Sequence, residues 1–150
     1  MRALIQRVSK ASVSIDGEVK AGIQHGFLIL LGIGKEDGPE DVEYLAKKIS
    51  GLRVFEDDEG KMNLSLSQVG GEILLVSQFT LYADTRRGNR PGFSNAAGPD
   101  LAIPLYEAMI SKLKTYDIPV STGEFGADMQ ISLINDGPVT ILIDSSDKKK

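Results

Sequence analysis

Phe27-Leu28-Ile29-Leu30-Leu31-Gly32-Ile33-Gly34 is an almost wholly apolar run, too short to span a bilayer and of single-strand length. A strand with no polar alternation has both faces covered, so this one is expected at the centre of a layered domain. Upstream of it, Ala3-Leu4-Ile5-Gln6-Arg7-Val8 and Ala11-Ser12-Val13-Ser14-Ile15 mix apolar and polar residues at strand length. Asp16-Gly17 stands between Val13-Ser14-Ile15 and Glu18-Val19-Lys20. That is a two-residue hairpin signal, because a type I′ turn needs positive φ at both central residues.

Downstream, two helices interrupt the strands. Asp37-Gly38-Pro39-Glu40-Asp41 has the proline and acids of a first turn, and Val42, Leu45, Ala46 and Ile49 follow at helical spacing until Ser50-Gly51. A second helix is predicted over residues 100–116, with Leu101, Leu105, Ala108, Met109 and Leu113 on one face and Pro104 in its first turn, where no N–H is needed. Residues 52–55, 72–82, 118–122, 127–134 and 139–144 read as further strands, separated by turns at 57–60 and 70–71. The whole is an α+β domain, mostly antiparallel and barrel-like, with two main helices. One domain spans residues 1–144, and the polar tail 145–150, ending in three lysines, is expected to fray.

Composition narrows the chemistry. The chain has 150 residues, 41% of them apolar even without glycine, so it buries a real core. Seventeen basic against twenty-one acidic residues give a net charge of −4, which excludes a uniformly basic nucleic-acid-binding surface but not a local patch. There is no cysteine, hence no disulfide, thiol nucleophile or cysteine-held metal. The single histidine, His25, precedes Gly26 at the mouth of the central strand and reads as a turn residue rather than a base. Neither a metal site nor a cofactor is expected. Arg2 and Arg7 spoil the start as a signal peptide, which points to a cytoplasmic protein with no membrane partner.

Three stretches carry functional promise. In Ser77-Gln78-Phe79-Thr80 an apolar strand turns abruptly polar; if the strand continues, Gln78 and Thr80 share one face and Ser77 and Phe79 the other. It is either an ordinary strand rim or the lining of a pocket. Asn135-Asp136-Gly137-Pro138-Val139-Thr140 reads as a turn in which glycine and proline together aim two carbonyl oxygens one way. Thr85-Arg86-Arg87-Gly88-Asn89-Arg90-Pro91-Gly92-Phe93 is either a solvated charge run or the place where Arg86, Arg87 and Arg90 meet phosphates. No Gly-x-Ser-x-Gly elbow, dinucleotide fingerprint or P-loop is present, since Gly32 and Gly34 lack a third glycine. The acids at 56–59 read as a solvated turn.

On these stretches the chain resembles the D-aminoacyl-tRNA deacylases of the bacterial and eukaryotic type, from Met1 to about Asp144. Met1-Arg2-Ala3, Gln6-Arg7-Val8 and Phe125-Gly126-Ala127-Asp128-Met129 match as well, whereas Gly92 stands where the family more often has serine after Arg-Pro. The resemblance implies a homodimer with active sites at the subunit interface. It implies that Gly137-Pro138 is cis, enters the partner's pocket and meets Ser77, Gln78 and Thr80 there. Arg7 is expected to support that turn, and Phe79, Phe125 and Met129 to lie in or around the pocket for the terminal adenosine and aminoacyl group.

The implied reaction suits so plain a set of residues. An aminoacyl ester on a ribose hydroxyl is already activated, so positioning and oxyanion stabilisation matter more than a strong base. The ribose 2′-hydroxyl is expected to help with water, and attack by Thr80 ranks second because no base for it is visible. Carbonyls of Gly137 and Pro138 holding the substrate ammonium would leave an L side chain no room, while glycine, lacking one, would be cleaved as well. The rival readings are a non-catalytic nucleic-acid-binding module of the same fold and a dimeric interaction protein.

Overall fold

The computed structural model describes residues 1–149, with no side-chain description for Lys149; Lys150 lies outside it. The backbone of the fold is β1 (Arg2–Ile15), a single strand where two were expected. Its first half pairs antiparallel with β3 (Gly26–Gly32) and its second half with β2 (Glu18–Ile23), while β8 (Gln130–Asp144) runs antiparallel along its whole other edge. Asp16 and Gly17 both have positive φ, at 51° and 80°, so the β1–β2 connection is the predicted tight hairpin.

Beyond β3 the sheet turns parallel. β6 (Glu72–Ser77) pairs with β3, and β7 (Val120–Thr122) pairs with β6, both in parallel. Parallel neighbours need a long crossover, and the two helices supply it. α1 (Pro39–Gly51) lies on the path from β3 to β6, together with a small hairpin of β4 (Phe55–Glu56) and β5 (Met62–Leu64); α2 (Pro99–Lys114) lies between β6 and β7. β2 curls over towards β6 and β7, which gives the mixed sheet its barrel-like form. The antiparallel reading holds for the pairs made by β1, and the parallel pairs come from the crossovers.

Both faces of β3 are buried. Phe27, Ile29 and Leu31 pack with Ile5, Ile73 and Leu75 under Leu45 and Ile49 of α1 and Leu105, Met109 and Leu113 of α2. On the other face Leu28 joins Val8, Val13, Leu74 and Val76 beneath Met129, Ile131 and Leu133. The Tyr106 hydroxyl, buried among the core residues, donates to the Leu75 carbonyl at 2.9 Å, and burial pushes its phenol up to about 12. On α2 it is Tyr106 and not Ala108 that joins the buried face. Pro104 sits in the second turn rather than the first; the carbonyl it leaves without an intrahelical partner is that of Asp100, which is exposed to water.

Two further expectations change. The strand read over residues 72–82 ends at Ser77, and Phe79–Tyr82 is a 3-10 turn. The segment expected to fray is a 3-10 turn over Ser145–Lys149, tied back to the body of the fold. Ser145 N–H donates to the Met1 carbonyl at 2.8 Å, and the Lys148 ammonium meets the Asp41 carboxylate at 2.8 Å. Asp41 also accepts the Gly38 N–H at 2.8 Å, capping the start of α1.

Burial alone would push the Asp41 carboxyl up, but Lys148, Ser145 and Gly38 outweigh it and hold the group at about 2 against an ordinary 3.8. A carboxylate depressed in the folded state stabilises the fold above its unfolded value and loses that contribution as pH falls towards the folded one. Urea midpoints should therefore drop between pH 4 and 2 in the wild type. In Asp41→Asn they should be lower at neutral pH and flatter over that interval. Parallel acid profiles for the two proteins would remove the assignment.

Candidate active site

β6 delivers the apolar run Ile73-Leu74-Leu75-Val76 into the core and stops at its polar end. Gln78 N–H donates to the Leu31 carbonyl at 2.8 Å, so the chain is still held to β3 as it leaves the strand. It then tightens into the Phe79–Tyr82 turn, which breaks the alternation expected of a strand. Because of this turn, Gln78 and Thr80 meet by curvature: the Gln78 amide donates to the Thr80 hydroxyl. A carboxamide N–H gives up no lone pair, so it cannot serve Thr80 as a base.

Ser77, Gln78 and Phe79 form one wall of a cavity of about 270 Å³. Phe125, Gly126, Ala127 and Met129 form another, and Ile33, Val76, Ala97, Ala102 and Ile131 complete it. The wall from 123 to 129 is held from outside by Lys20, whose ammonium donates to the Gly123 carbonyl at 3.2 Å. The structure thus brings together Ser77, Gln78, Phe79, Phe125 and Met129 in one hollow. Phe79 is 54% exposed at its rim and meets Phe93 edge-on, with ring centroids 5.0 Å apart. The apolar lining residues before α2 and on β8 carry no signal of their own in the sequence; they look like core, and only the fold turns them towards the cavity.

The second stretch is a loop thrown out of a ladder. Gln6 pairs with Thr140 and Val8 with Asn135, so residues 136–139 have one residue, Arg7, opposite them. Gly137-Pro138 is cis, and Asp136, Gly137 and Pro138 are exposed. Two side chains close the base of this loop. Asn135 accepts the Val139 N–H at 2.9 Å and donates to the Thr140 hydroxyl at 2.8 Å. Arg7, only 7% exposed, donates to the Asp136 carbonyl at 2.9 Å and the Val54 carbonyl at 2.6 Å. Val54 lies outside any strand: of the strand expected at 52–55 only Phe55 pairs with β5, together with Glu56. None of Arg7, Gly137 and Pro138 lines the cavity of its own chain.

The third stretch is a closed loop. Asp84 and Gly92 exchange backbone hydrogen bonds at 2.8 and 2.9 Å, and the Arg86 guanidinium grips both carboxylate oxygens of Asp84 at 2.9 and 2.8 Å. Hydrogen bonding from Arg86 holds the Asp84 carboxyl at about 2. Arg87 and Arg90 are exposed on the same loop, which ends at Phe93 beside Phe79. His25 is exposed, with its ring edge-on to Phe55 at 4.9 Å and away from the cavity lining. The acids at 56–59 form a solvated turn in which Asp57 accepts N–H groups of Glu59 and Lys61. No helix is long and apolar enough to cross a membrane among the described residues.

A sequence model of the family described as D-Tyr-tRNA(Tyr) deacylase matches residues 4–144. A D-aminoacyl-tRNA deacylase of Thermosipho africanus is 57% identical over 145 residues, covering 97% of each chain. One from Chloroflexus aurantiacus is 60% identical over 147 residues, covering 98% of this chain and 92% of its own. Among solved structures, one titled c-Myc DNA Unwinding Element Binding Protein superposes with a TM-score of 0.91 at 43% identity, covering 96% of this chain and 98% of its own. A probable eukaryotic D-amino acid tRNA deacylase superposes at 0.80 with 15% identity, covering 95% of this chain and 97% of its own, a likeness of fold.

The Asn135 clamp predicts a local effect. Asn135→Ala removes the Val139 acceptor, and a hydrogen bond worth about 1 kcal/mol corresponds to roughly fivefold faster exchange of that amide. Asn135→Asp keeps an acceptor and should stay near wild type, as should amides of Leu4 and Ile5 in both variants. Unchanged Val139 exchange in the alanine variant would show that the loop holds its shape without the clamp.

Proposed function

The chain belongs to the D-Tyr-tRNA(Tyr) deacylase family, and from that membership we infer that it is a hydrolase that splits the ester joining a D-amino acid to the 3′ end of tRNA. The products are free D-amino acid and uncharged tRNA. On this reading the enzyme works in the cytoplasm in translation quality control.

The observation that carries the finer reading is a mismatch within one chain. The cavity holding Ser77, Gln78 and Phe79 lacks the Gly137-Pro138 turn, and the turn stands exposed to solvent. A second copy resolves both. A little beyond the turn on β8, Leu142 is 56% exposed, and its ladder partner Leu4 and that residue's neighbour Leu30 are only half-buried. An open leucine row on a sheet beside an unmatched loop suits an isologous contact, in which each chain lends its turn to the other's cavity.

In that arrangement the turn's carbonyls receive the substrate ammonium, and Arg7 and Asn135 keep them aimed. A D side chain then points outwards, whereas an L side chain meets the turn; selection is by exclusion. Glycyl-tRNA, including glycine mischarged onto tRNA-Ala, is cleaved for want of a side chain to reject. Amides at the start of the Phe79–Tyr82 turn have no partner inside it and are suited to a developing oxyanion. One such donor contributes about 2.7–4 kcal/mol to an acyl-transfer barrier. Water oriented by the ribose 2′-hydroxyl is the nucleophile. Thr80 has Gln78 rather than a base beside it, which supports ranking its direct attack second.

Arg87 and Arg90 are the arginines left for acceptor-stem phosphates, since Arg86 already grips Asp84. The rival reading, a non-catalytic nucleic-acid-binding module, has in its favour the name of the DNA unwinding element binding protein at 43% identity.

Paired incubation with D-tyrosyl- and L-tyrosyl-tRNA decides the first point: rapid ester loss from the D form alone is expected, and binding without turnover would favour the rival. For the shared site, Arg7→Ala (turn) and Phe79→Ala (cavity) should each be nearly inactive. Mixed after subunit exchange, they should recover roughly a quarter of wild-type activity, because half the dimers are mixed and each holds one intact site. No recovery in exchanged dimers would place turn and cavity in the same chain. Replacing Arg87 and Arg90 should raise KM and lower the salt slope by about one for each phosphate no longer neutralised. Unchanged kinetics across salt would remove the loop from tRNA binding.

A further inference from the structure

The Phe79–Tyr82 turn leaves β6 in mid-face, and something must hold it against the sheet. Its start is fixed by the Gln78 N–H on the Leu31 carbonyl. Its end is fixed by a residue outside both the cavity and the Gly137-Pro138 loop. The Arg2 guanidinium donates to the Leu81 carbonyl at 2.7 Å through Nη1 and lies 4.5 Å above the centre of the Tyr82 ring. Nε of Arg2 donates to the Asp144 carboxylate at 3.1 Å, so the arginine is itself held from the far strand.

The sheet is shaped to receive the turn at this point. Arg2 stands in one register row with Gly32 of β3 on one side and Asp144 of β8 on the other. A Cβ on Gly32 would come within 3.0 Å of the Leu81 Cβ and 3.1 Å of the Gln78 carbonyl oxygen. At Gly34 a Cβ would stand 3.0 Å from the Tyr82 ring. Contacts that close force the neighbour to give way. The Gly32-Ile33-Gly34 spacing, which fails as a dinucleotide fingerprint, is therefore explained as a bare seat on which the turn lies.

The geometry points to Arg2 as a positioning residue for the hydrolysis: with Asp144, Gly32 and Gly34 it sets the turn whose first residue, Phe79, stands at the cavity rim. This rests on the deacylase reading for its catalytic consequence, though not for its structural one. Arg2 touches no reacting atom in this scheme; it acts through the backbone of Leu81. Of natural side chains only arginine donates to a carbonyl and a carboxylate in one plane while stacking on a ring. Lysine keeps the charge but not the fork.

The test separates seat from chemistry. In Arg2→Ala, exchange of the Leu81 and Ala83 amides, whose acceptors are the Gln78 and Thr80 carbonyls, should accelerate at least about fivefold, a loss of roughly 1 kcal/mol. Amides of β3 should not change. With D-tyrosyl-tRNA, kcat should fall about tenfold or more with KM altered less, and Arg2→Lys should recover part of it. Ile49→Val, a core truncation outside the cavity lining, serves as the stability control: it should lower thermal stability and leave kcat unchanged. If Arg2→Ala does not fold, Gly34→Ala tests the seat by pushing on Tyr82 and should give the same exchange signature. Wild-type exchange at Leu81 and Ala83 overturns the proposal whatever the turnover. Accelerated exchange in an enzyme whose wild type cleaves no D-aminoacyl-tRNA keeps the seat and removes the deacylase reading. Accelerated exchange with wild-type kcat leaves Arg2 structural and overturns its positioning role.

Discussion

A guanidinium cannot be neutralised at any ordinary pH, so once buried it must be met by acceptors. Arg7 is buried at the one row of the β1–β8 ladder where β8 departs, and its acceptors are two carbonyls that no strand partner uses. One belongs to the loop at 136–139 and the other to Val54, ahead of the β4–β5 hairpin. Hydrogen bonds from a charged donor contribute about 1.5–3 kcal/mol each, more than the roughly 1 kcal/mol of a neutral pair. The arginine therefore does for this loop what a ladder does for a strand. On its other edge Arg7 pairs with Phe27 of the most deeply buried strand, so the loop is anchored to the least deformable part of the molecule.

The cavity and the Gly137-Pro138 loop differ in how they are held. The cavity wall at 123–129 is held by Lys20 and Leu75 through Gly123, and the Phe79–Tyr82 turn by Leu31 at its start and Arg2 at its end. The loop at 136–139 is clamped by Asn135 and Arg7 together. Chemistry that relies on placing an already labile ester needs the first to be accurate, and discrimination by exclusion needs the second to be unyielding. On the proposed reading the catalytic groups can be as unreactive as serine, glutamine and threonine because the stiffness is supplied elsewhere.

Some of this is readable in residue order alone. The Asp16-Gly17 hairpin, the doubly covered strand at Phe27 and the apolar stripe Val42, Leu45, Ala46, Ile49 each depend on neighbours within a few positions, and each stands in the structure as read. Ser77-Gln78-Phe79-Thr80 stands out in the sequence, but its backbone is not the strand its residues suit. What bends it is a seat made by Gly32, Gly34 and Arg2, far away in the chain. Likewise the tail at 145–149 is polar enough to suggest fraying, yet Ser145 and Lys148 find partners in Met1 and Asp41. Polarity predicts fraying only where no buried acceptor waits.

Residue order by itself determined the α+β class, the absence of thiol chemistry, the two helices and the three stretches that stand out from their surroundings, because these follow from local periodicity, composition and motif. Tertiary structure alone decided that two strands fuse into β1, that β3, β6 and β7 run parallel, and that the polar end of β6 curls into a cavity from which its own chain's loop is absent. The reason is range. A side chain's preference acts over one or two turns of backbone, whereas which edge a strand pairs with, and which carbonyl a buried arginine must satisfy, is settled only when distant segments compete for the same space.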